Sequence, residues 1–492
     1  MNLSIIQFLF KQIQHQVKSF YTEIFCPKHL NLSHNMELSK KLLQESSPHK
    51  RFGTDLEPRR WWILTAFSLY NCSVAVAWLT YGAISGPSMQ YFDININQLL
   101  LFSDSFLYMY FLFSYIGCYL VYKMFKKFLL LCAFLTALGG WVRYFAGPHF
   151  YGALSGQIIT GLAYAPAFGF ATLLPDRWFS MKERFLVTTI AVYSSYAGWA
   201  IGYILPCVIV GDDIANMDTS LLVQAIIMTA PIVLSVLCVE EKPKVPPSYS
   251  ALVKLNDKMS FMEEMKILLN MKNFVANSVI FGLVLGVSYS ISTISAIFME
   301  PLNLSYLEQG IIGFSYVVSG LIAGFVGTVW IDKHGLNNYD SMIKILLSLS
   351  LASLTVLGII FIFIEHPGMF IIWGCNCILG VGLIGFTPFI CSSIIESTFP
   401  VQESMSTNAM FMMTQILSVI TGHLCTSEFV GRGGFLLLAI LILPCWAYAV
   451  FFYKTEYKKQ KADDGHQEIN QELQEFINYT TEDVAGPSGF IQ

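Results

Sequence analysis

Residues 342–364 read MIKILLSLSLASLTVLGIIFIFI, and Lys344, near the start, is their only charge. A helix needs about 20 apolar residues to cross the hydrocarbon core of a bilayer. In hydrocarbon each backbone N–H and C=O must be satisfied within its own segment, so a run of this length is a helix. Working outward, similar runs lie at 273–299, 309–331, 369–392, 405–427 and 433–453 in this half of the chain, and at 61–84, 99–122, 128–147, 151–175, 185–209 and 220–239 before it. Hydrophobic residues make up 54% of the 492 residues and charged residues 13%, about half the charged share of a soluble domain. The chain is an all-α membrane protein with twelve expected spans, not a soluble enzyme.

The charges test that count independently. With the N-terminus in the cytoplasm, nine Lys and Arg precede the first span, among them Lys50, Arg51, Arg59 and Arg60. Lys123, Lys126 and Lys127 fall between spans 2 and 3, and Arg177, Lys182 and Arg184 between 4 and 5. Six more, from Lys242 to Lys272, separate spans 6 and 7. Lys333 and Lys344 flank the turn between 8 and 9, and Lys454, Lys458, Lys459 and Lys461 follow span 12. Only Arg143 and Arg432 fall elsewhere, while the opposite loops carry Asp93, Asp212, Asp213, Asp218, Glu300 and Glu308. A miscounted span would scramble this positive-inside pattern. Both termini are expected in the cytoplasm.

The polar stretches set the domain plan. Residues 1–60 form a cytoplasmic N-terminal segment, and 61–240 a first six-helix bundle. Residues 241–272 form a cytoplasmic linker with an amphipathic stretch around Met262–Leu269, and 273–453 a second bundle. Residues 454–492, polar and acidic, read as a disordered cytoplasmic tail. The opening MNLSIIQFLF lacks a basic n-region, so no cleaved signal peptide is expected, and Met36 is an alternative start. Two six-helix bundles joined by a cytoplasmic linker is the architecture of the major facilitator superfamily, whose substrates bind between pseudo-symmetric halves near the midplane. The basic loop signature of that superfamily is poor between spans 2 and 3, where Tyr122 takes the place of the usual aspartate. Its second copy, Asp332-Lys333-His334-Gly335 after span 8, is clearer and makes Asp332 a gating or structural candidate.

No phosphate loop, HExxH or GxSxG motif is present. Ten of the eleven cysteines lie within apolar spans, with no metal-ligand spacing, so neither metal nor cofactor is expected. The net charge of −4 reflects the acidic tail, and nothing points to nucleic acid. Partners reduce to the lipid bilayer and a small-molecule substrate, with a monomer expected. Ionisable groups at membrane depth need a partner or a role. Asp104, early in span 2, faces a possible cavity, and Arg143, near the outer end of span 3, reads as a structural cation snorkelling to the interface. His423 reads as a satisfied core histidine. Glu396 and Glu403 bracket the cytoplasmic turn between spans 10 and 11, where gating or loop bracing fits better than substrate contact. The second half shows no deep mid-span carboxylate, which favours facilitated over ion-coupled transport.

Trp78 in span 1 and Tyr289, within SYSIST of span 7, stand out by position. The two spans are symmetry mates that line the cavity of this fold. Aromatic faces attract a quaternary ammonium by about 2 kcal/mol when desolvated, with no counter-charge. The plainer reading is that both are packing aromatics.

From Arg59 onward, RRWWILTAFSLYNCSVAVAWLTYGAIS resembles the first-helix region of the feline leukaemia virus subgroup C receptor-related transporters, solute carrier family 49. LGGWVRY in span 3, GQ at 156–157, RWFSMKE at 177–183, GYILP, EKPKVPPS, GVSYSIST and ESTFPVQES continue the resemblance in order, over roughly residues 59–453. It implies a choline site whose aromatic pair matches Trp78 and Tyr289, and whose eleventh-helix glutamine matches Gln415. The family's fourth-helix glutamine is replaced by Tyr164, either a third aromatic wall or the mark of a different substrate. Gln157, in the GQ motif, completes the substrate-binding candidates. The resemblance carries choline, ethanolamine, haem and pyridoxine as cargoes. Haem, with its anionic propionates, calls for Lys, Arg or His in the cavity, so a choline-like cation fits the residues better than haem. The expected function is uniport by alternating access. A non-transporting receptor or scaffold is the alternative of another class, and the plasma membrane is the expected location, with an intracellular organelle as the alternative.

Overall fold

A computed structural model describes residues 57–461, except 212, 244–260, 300, 301, 303, 335–338, 365–367, 400 and 427–432. Among the described residues the regular elements are all helical. The first half contains α1 (Arg59–Ala83), α2 (Ser85–Phe92), α3 (Ile96–Lys123), α4 (Phe125–Ala146), α5 (Phe150–Tyr164), α6 (Ala167–Trp178), α7 (Met181–Val210) and α8 (Met217–Cys238). The amphipathic linker helix is α9 (Phe261–Asn270). The second half contains α10 (Lys272–Met299), α11 (Tyr306–His334), α12 (Tyr339–Phe363), α13 (Met369–Leu383), α14 (Thr387–Thr398), α15 (Glu403–Cys425) and α16 (Gly434–Phe451). Each expected span overlies one helix or a broken pair, with ends displaced by a few residues.

Eleven described segments are long and apolar enough to cross a membrane. The expected eleventh span, α15, is not among them, although its 23 residues, at 1.5 Å each, reach about 34 Å. Its sequence is rich in Ser, Thr, Asn and Gln, and most of it is buried. It packs on α10 in its own half and on α3 and α6 of the other half, so protein rather than lipid solvates it. The segment ending in α8 is the opposite case, with only 33% of its apolar window buried. The hydrophobic effect thus sorts the surfaces: Phe145, Leu237, Val326 and Phe370 are exposed on the outside of the bundle, and inner helices turn polar side chains inward.

The fourth and tenth spans are each broken. Pro166 interrupts α5 and α6, because proline lacks an N–H and clashes with the preceding turn. The Ala163 carbonyl at that break accepts the Tyr70 hydroxyl of α1. In the tenth span residues 384–386 separate α13 from α14. There the Tyr193 hydroxyl of α7 donates to the carbonyls of Ile384 at 3.3 Å and Gly385 at 3.4 Å. Each break therefore leaves carbonyls that a buried tyrosine satisfies, and the second tyrosine comes from the opposite half.

The poor loop signature before α4 is also compensated. Both Glu241 carboxylate oxygens, from the linker, accept the first N–H groups of α4, from Phe125 at 2.7 Å and Lys126 at 3.0 Å. A carboxylate there satisfies orphan donors and complements the helix dipole. Arg177 lies over the Tyr122 ring at 5.4 Å and donates to the Tyr122 carbonyl at 2.6 Å. A linker acid and an arginine–tyrosine stack thus do the bracing expected of the absent aspartate. Lys454–Lys461, expected to begin the tail, is instead held against the second half. Thr455 N–H donates to Asp340 at 3.0 Å and Gln460 N–H to Glu396 at 3.0 Å.

The sidedness is directly testable. Epitopes at residues 1 and 492 are expected to stain only after permeabilisation, and one inserted at Gly147, in the turn after α4, on intact cells. Surface staining of either terminus contradicts the topology.

Candidate functional site

Two small-residue contacts bring α1 and α7 together. A Cβ at Gly202 would lie 3.0 Å from the Val76 carbonyl oxygen, and one at Gly198 would collide with the Cys72 carbonyl. This close approach seats Trp199 of α7 against Trp78 of α1, ring centroids 4.7 Å apart. From the second half, α10 contributes Tyr289, 5.3 Å from Trp78 and 4.9 Å from Trp199. The two expected aromatics therefore meet, and a tryptophan that sequence reasoning passed over completes a triad. All three rings are buried. The cluster continues through Tyr196, 4.5 Å from Trp199, and through Tyr164, whose hydroxyl lies 3.4 Å from that of Tyr289. Tyr110 packs at a tilt 5.6 Å from Tyr164 and bonds Asn408 of α15 through its hydroxyl.

Polar groups aim into this aromatic shell without partners. Gln415 is 1% exposed, and neither its amide nitrogen nor its oxygen makes a hydrogen bond. The Ser195 hydroxyl and the Trp199 indole N–H are also unsatisfied, and Gln415 and Ser195 lie beside the Tyr164 hydroxyl. Leaving such groups buried and unpaired costs about 1–3 kcal/mol each. Trp78 differs, since its indole N–H donates to the Ser103 carbonyl at 3.2 Å. That bond fixes the ring against α3. Thr293 and Ser290, flanking Tyr289, return their hydroxyls to helix carbonyls.

The other candidates scatter. Gln157 donates to the Ala77 carbonyl at 3.0 Å, bracing α5 against the residue before Trp78; its amide oxygen is unsatisfied. Arg143 does not reach the interface. It is 1% exposed and lies over the Tyr81 ring at 4.9 Å, with Nη2 donating to Gln224 at 3.1 Å. The expectation of snorkelling fails because Tyr81 and Gln224 satisfy the guanidinium inside the first half. His423, expected as a core histidine, is half-buried and pairs across the halves with Asp104 at 2.9 Å. Glu396 holds the Gln460 N–H and lines a cavity of about 60 Å³ with Glu403, Arg184 and Lys459. The Asp332 side chain lies outside the described residues. No described group of three or more His, Cys, Asp or Glu is arranged for a metal ion.

A signal for Trp199 was present in the sequence. Tyr193, Tyr196 and Trp199 recur every three residues, which places them along one helix face.

Eleven apolar described spans and the polar α15, with an aromatic and amide cluster buried between α1, α7, α10 and α15, define a polytopic helical membrane protein. The sequence profile of the Major Facilitator Superfamily matches residues 63–415 and, again, 278–486, and the chain belongs to that family. Among relatives, it is 23% identical over 440 residues to the choline/ethanolamine transporter FLVCR2 of Homo sapiens, covering 85% of this chain and 81% of that one. It is 26% identical over 397 residues to the choline/ethanolamine transporter FLVCR1 of Mus musculus, covering 74% and 69%. The resemblance read from the motifs therefore extends over most of the chain. In fold it is similar to the fucose:proton symporter FucP in an outward conformation, with a TM-score of 0.59 and 15% identity, covering 80% of this chain and 99% of that one. It is also similar to an inward-facing bacterial homologue of the lysosomal transporter Spinster, with a TM-score of 0.55 and 13% identity, covering 80% and 97%. The chain is a multi-pass membrane transporter and not an enzyme.

The buried cation gives a stability test. Arg143→Ala removes the donor to the Tyr81 hydroxyl and leaves the Gln224 oxygen with Thr80 alone, at an expected cost of about 1–3 kcal/mol. A clear fall in the melting temperature of the detergent-purified protein is expected. An unchanged melting temperature would return Arg143 to the interface.

Proposed function

We propose that the chain carries a small amine cation of the choline type across the membrane by alternating access, as a uniporter. The observation that supports this most is the triad of Trp78, Trp199 and Tyr289, drawn from both halves, beside an unsatisfied Gln415 amide. Ring faces supply the attraction for an ammonium that has no counter-charge, and an amide supplies hydrogen bonding to its polar end. The relatives named choline/ethanolamine transporters point the same way. Haem fits less well, because the side chains found around the triad are aromatic, serine and glutamine rather than Lys, Arg or His. Pyridoxine and a receptor or scaffold role remain readings that uptake of a labelled panel would separate. A monomer in the plasma membrane is part of the same proposal.

The triad is closed on itself. A cation held between two ring faces needs them on the order of 10 Å apart, twice the usual cation-to-ring distance. Trp78 and Tyr289, at 5.3 Å, leave no such space. Binding on this reading parts α1 from α10, and emptying the site lets the rings collapse together.

Ring identity is the first test. Trp78→Leu and Trp199→Leu keep bulk but lose the π face, and each is expected to weaken apparent choline affinity roughly five- to thirty-fold, for about 1–2 kcal/mol. Tyr289→Phe is expected to keep most transport. Surface expression is measured alongside, because core truncations destabilise. A well-expressed Leu variant of Trp78 that transports choline like wild type would falsify the cage.

Coupling is the second test. Of the carboxylates within the spans, Asp104 pairs with His423 and Asp176 with Lys459, away from the triad. A uniporter of a cation is driven by the membrane potential, about 2.3 kcal/mol per charge at 100 mV. Uptake is expected to follow an imposed potassium-diffusion potential and to persist without sodium or proton gradients. Strict dependence on either gradient at clamped potential contradicts uniport.

A further inference from the structure

The short segment after α16 is tied down more thoroughly than a tail requires. Tyr453 packs 4.8 Å from Phe281 and bonds Ser393 through its hydroxyl. Thr455 gives its N–H to Asp340 at 3.0 Å and shares a hydroxyl contact with Ser393 at 2.6 Å. Tyr457 stacks on Tyr339 at 5.7 Å, and Gln460 N–H reaches Glu396. These anchors all belong to the second half. Lys459, between them, points the other way and is 2% exposed. Its ammonium donates at 2.6 Å to Glu403, at the start of α15, and at 2.9 Å to Asp176, in α6 of the first half. Arg184 of α7 joins Asp176 at 3.3 Å. Burial and the neighbouring Arg184 push the Lys459 ammonium towards losing its proton, but the two carboxylates outweigh them and hold its pKa above the ordinary lysine value. Lys459 is therefore charged throughout the physiological range.

At the same level Cys118 of α3 donates to the Ser404 carbonyl at 2.9 Å and Asn408 to the Ser114 carbonyl at 2.7 Å, so the two halves are shut here. Opening the cytoplasmic mouth means drawing α6 away from α15. Lys459 cannot follow both carboxylates: carried by the second half it keeps Glu403 and leaves Asp176 to Arg184, so opening breaks a buried charge contact between the halves.

We propose that residues 453–461 are a clasp carried by the second half, whose Lys459 pins Asp176 and so locks the cytoplasmic mouth closed. Release of that one ammonium then sets how readily the transporter opens inward, whatever its cargo.

The test uses the full chain, purified without substrate, with spin labels at exposed Lys182 of the first half and Ser341 of the second. Wild type is expected to show chiefly the short distance. Lys459→Gln removes the pin, and Asp340→Ala removes an anchor while leaving the three charges in place. Each is expected to raise the ratio of long- to short-distance populations at least five-fold. Lys459→Arg keeps the charge and is expected to stay near wild type, which shows that the site tolerates replacement. If folded Lys459→Gln and Asp340→Ala both give the wild-type distribution, the clasp does not hold the mouth and the proposal is wrong. Because no cargo is present, this result stands apart from that of choline uptake.

Discussion

Lipid offers no hydrogen bond, and that constraint organises the protein from its outer surface to its centre. Every polar group that crosses must find its partner inside the chain. Outer helices meet the constraint by being apolar, as the segment ending in α8 does. Inner ones meet it with each other: Asn408 of α15 with Ser114 of α3, Ser290 of α10 with the Ser418 carbonyl, Arg143 with Gln224. Where a helix breaks, at Pro166 or at residues 384–386, a buried tyrosine caps the freed carbonyl. The same rule makes Gln415 conspicuous, since both polar atoms of its buried amide lack a hydrogen bond although the Tyr164 hydroxyl lies beside it.

A cation crossing such an interior faces the same constraint. A carboxylate in the cavity would bind it strongly but would itself need a partner whenever the site is empty. Aromatic rings avoid this difficulty, because they attract an ammonium through their faces and pack against one another when it leaves. The 4.7–5.3 Å spacings within the triad fit an emptied site of that kind. The polar ends of the molecule handle charge differently. His423 with Asp104 towards one end, and Lys459 with Asp176 and Glu403 towards the other, join the halves through ion pairs.

The helical spans and the meeting of Trp78 with Tyr289 were legible because they follow from local rules: run length, and the pairing of spans 1 and 7. The two helix breaks were harder, since Pro166 and the glycines Gly380, Gly382 and Gly385 are tolerated in membrane helices and do not announce where the turn falls. Arg143 was misread because sequence depth alone favours snorkelling; only the folded chain shows Tyr81 and Gln224 around it. Trp199 had a readable spacing signal with Tyr193 and Tyr196, yet its contact with Trp78 depends on the close approach at Gly198 and Gly202. Lys454–Lys461 looked like polar tail because its partners, Asp340, Glu396 and Asp176, are distant in sequence.

The central claim is that charge, met by ring faces, is what the site recognises. Tryptophan fluorescence of the purified protein, titrated with choline and with its uncharged isostere 3,3-dimethyl-1-butanol, separates charge from shape. A cage worth about 2 kcal/mol predicts saturable quenching by choline and roughly thirty-fold weaker binding of the neutral alcohol. Equal affinity for the two, or no saturable response to choline, would contradict the account.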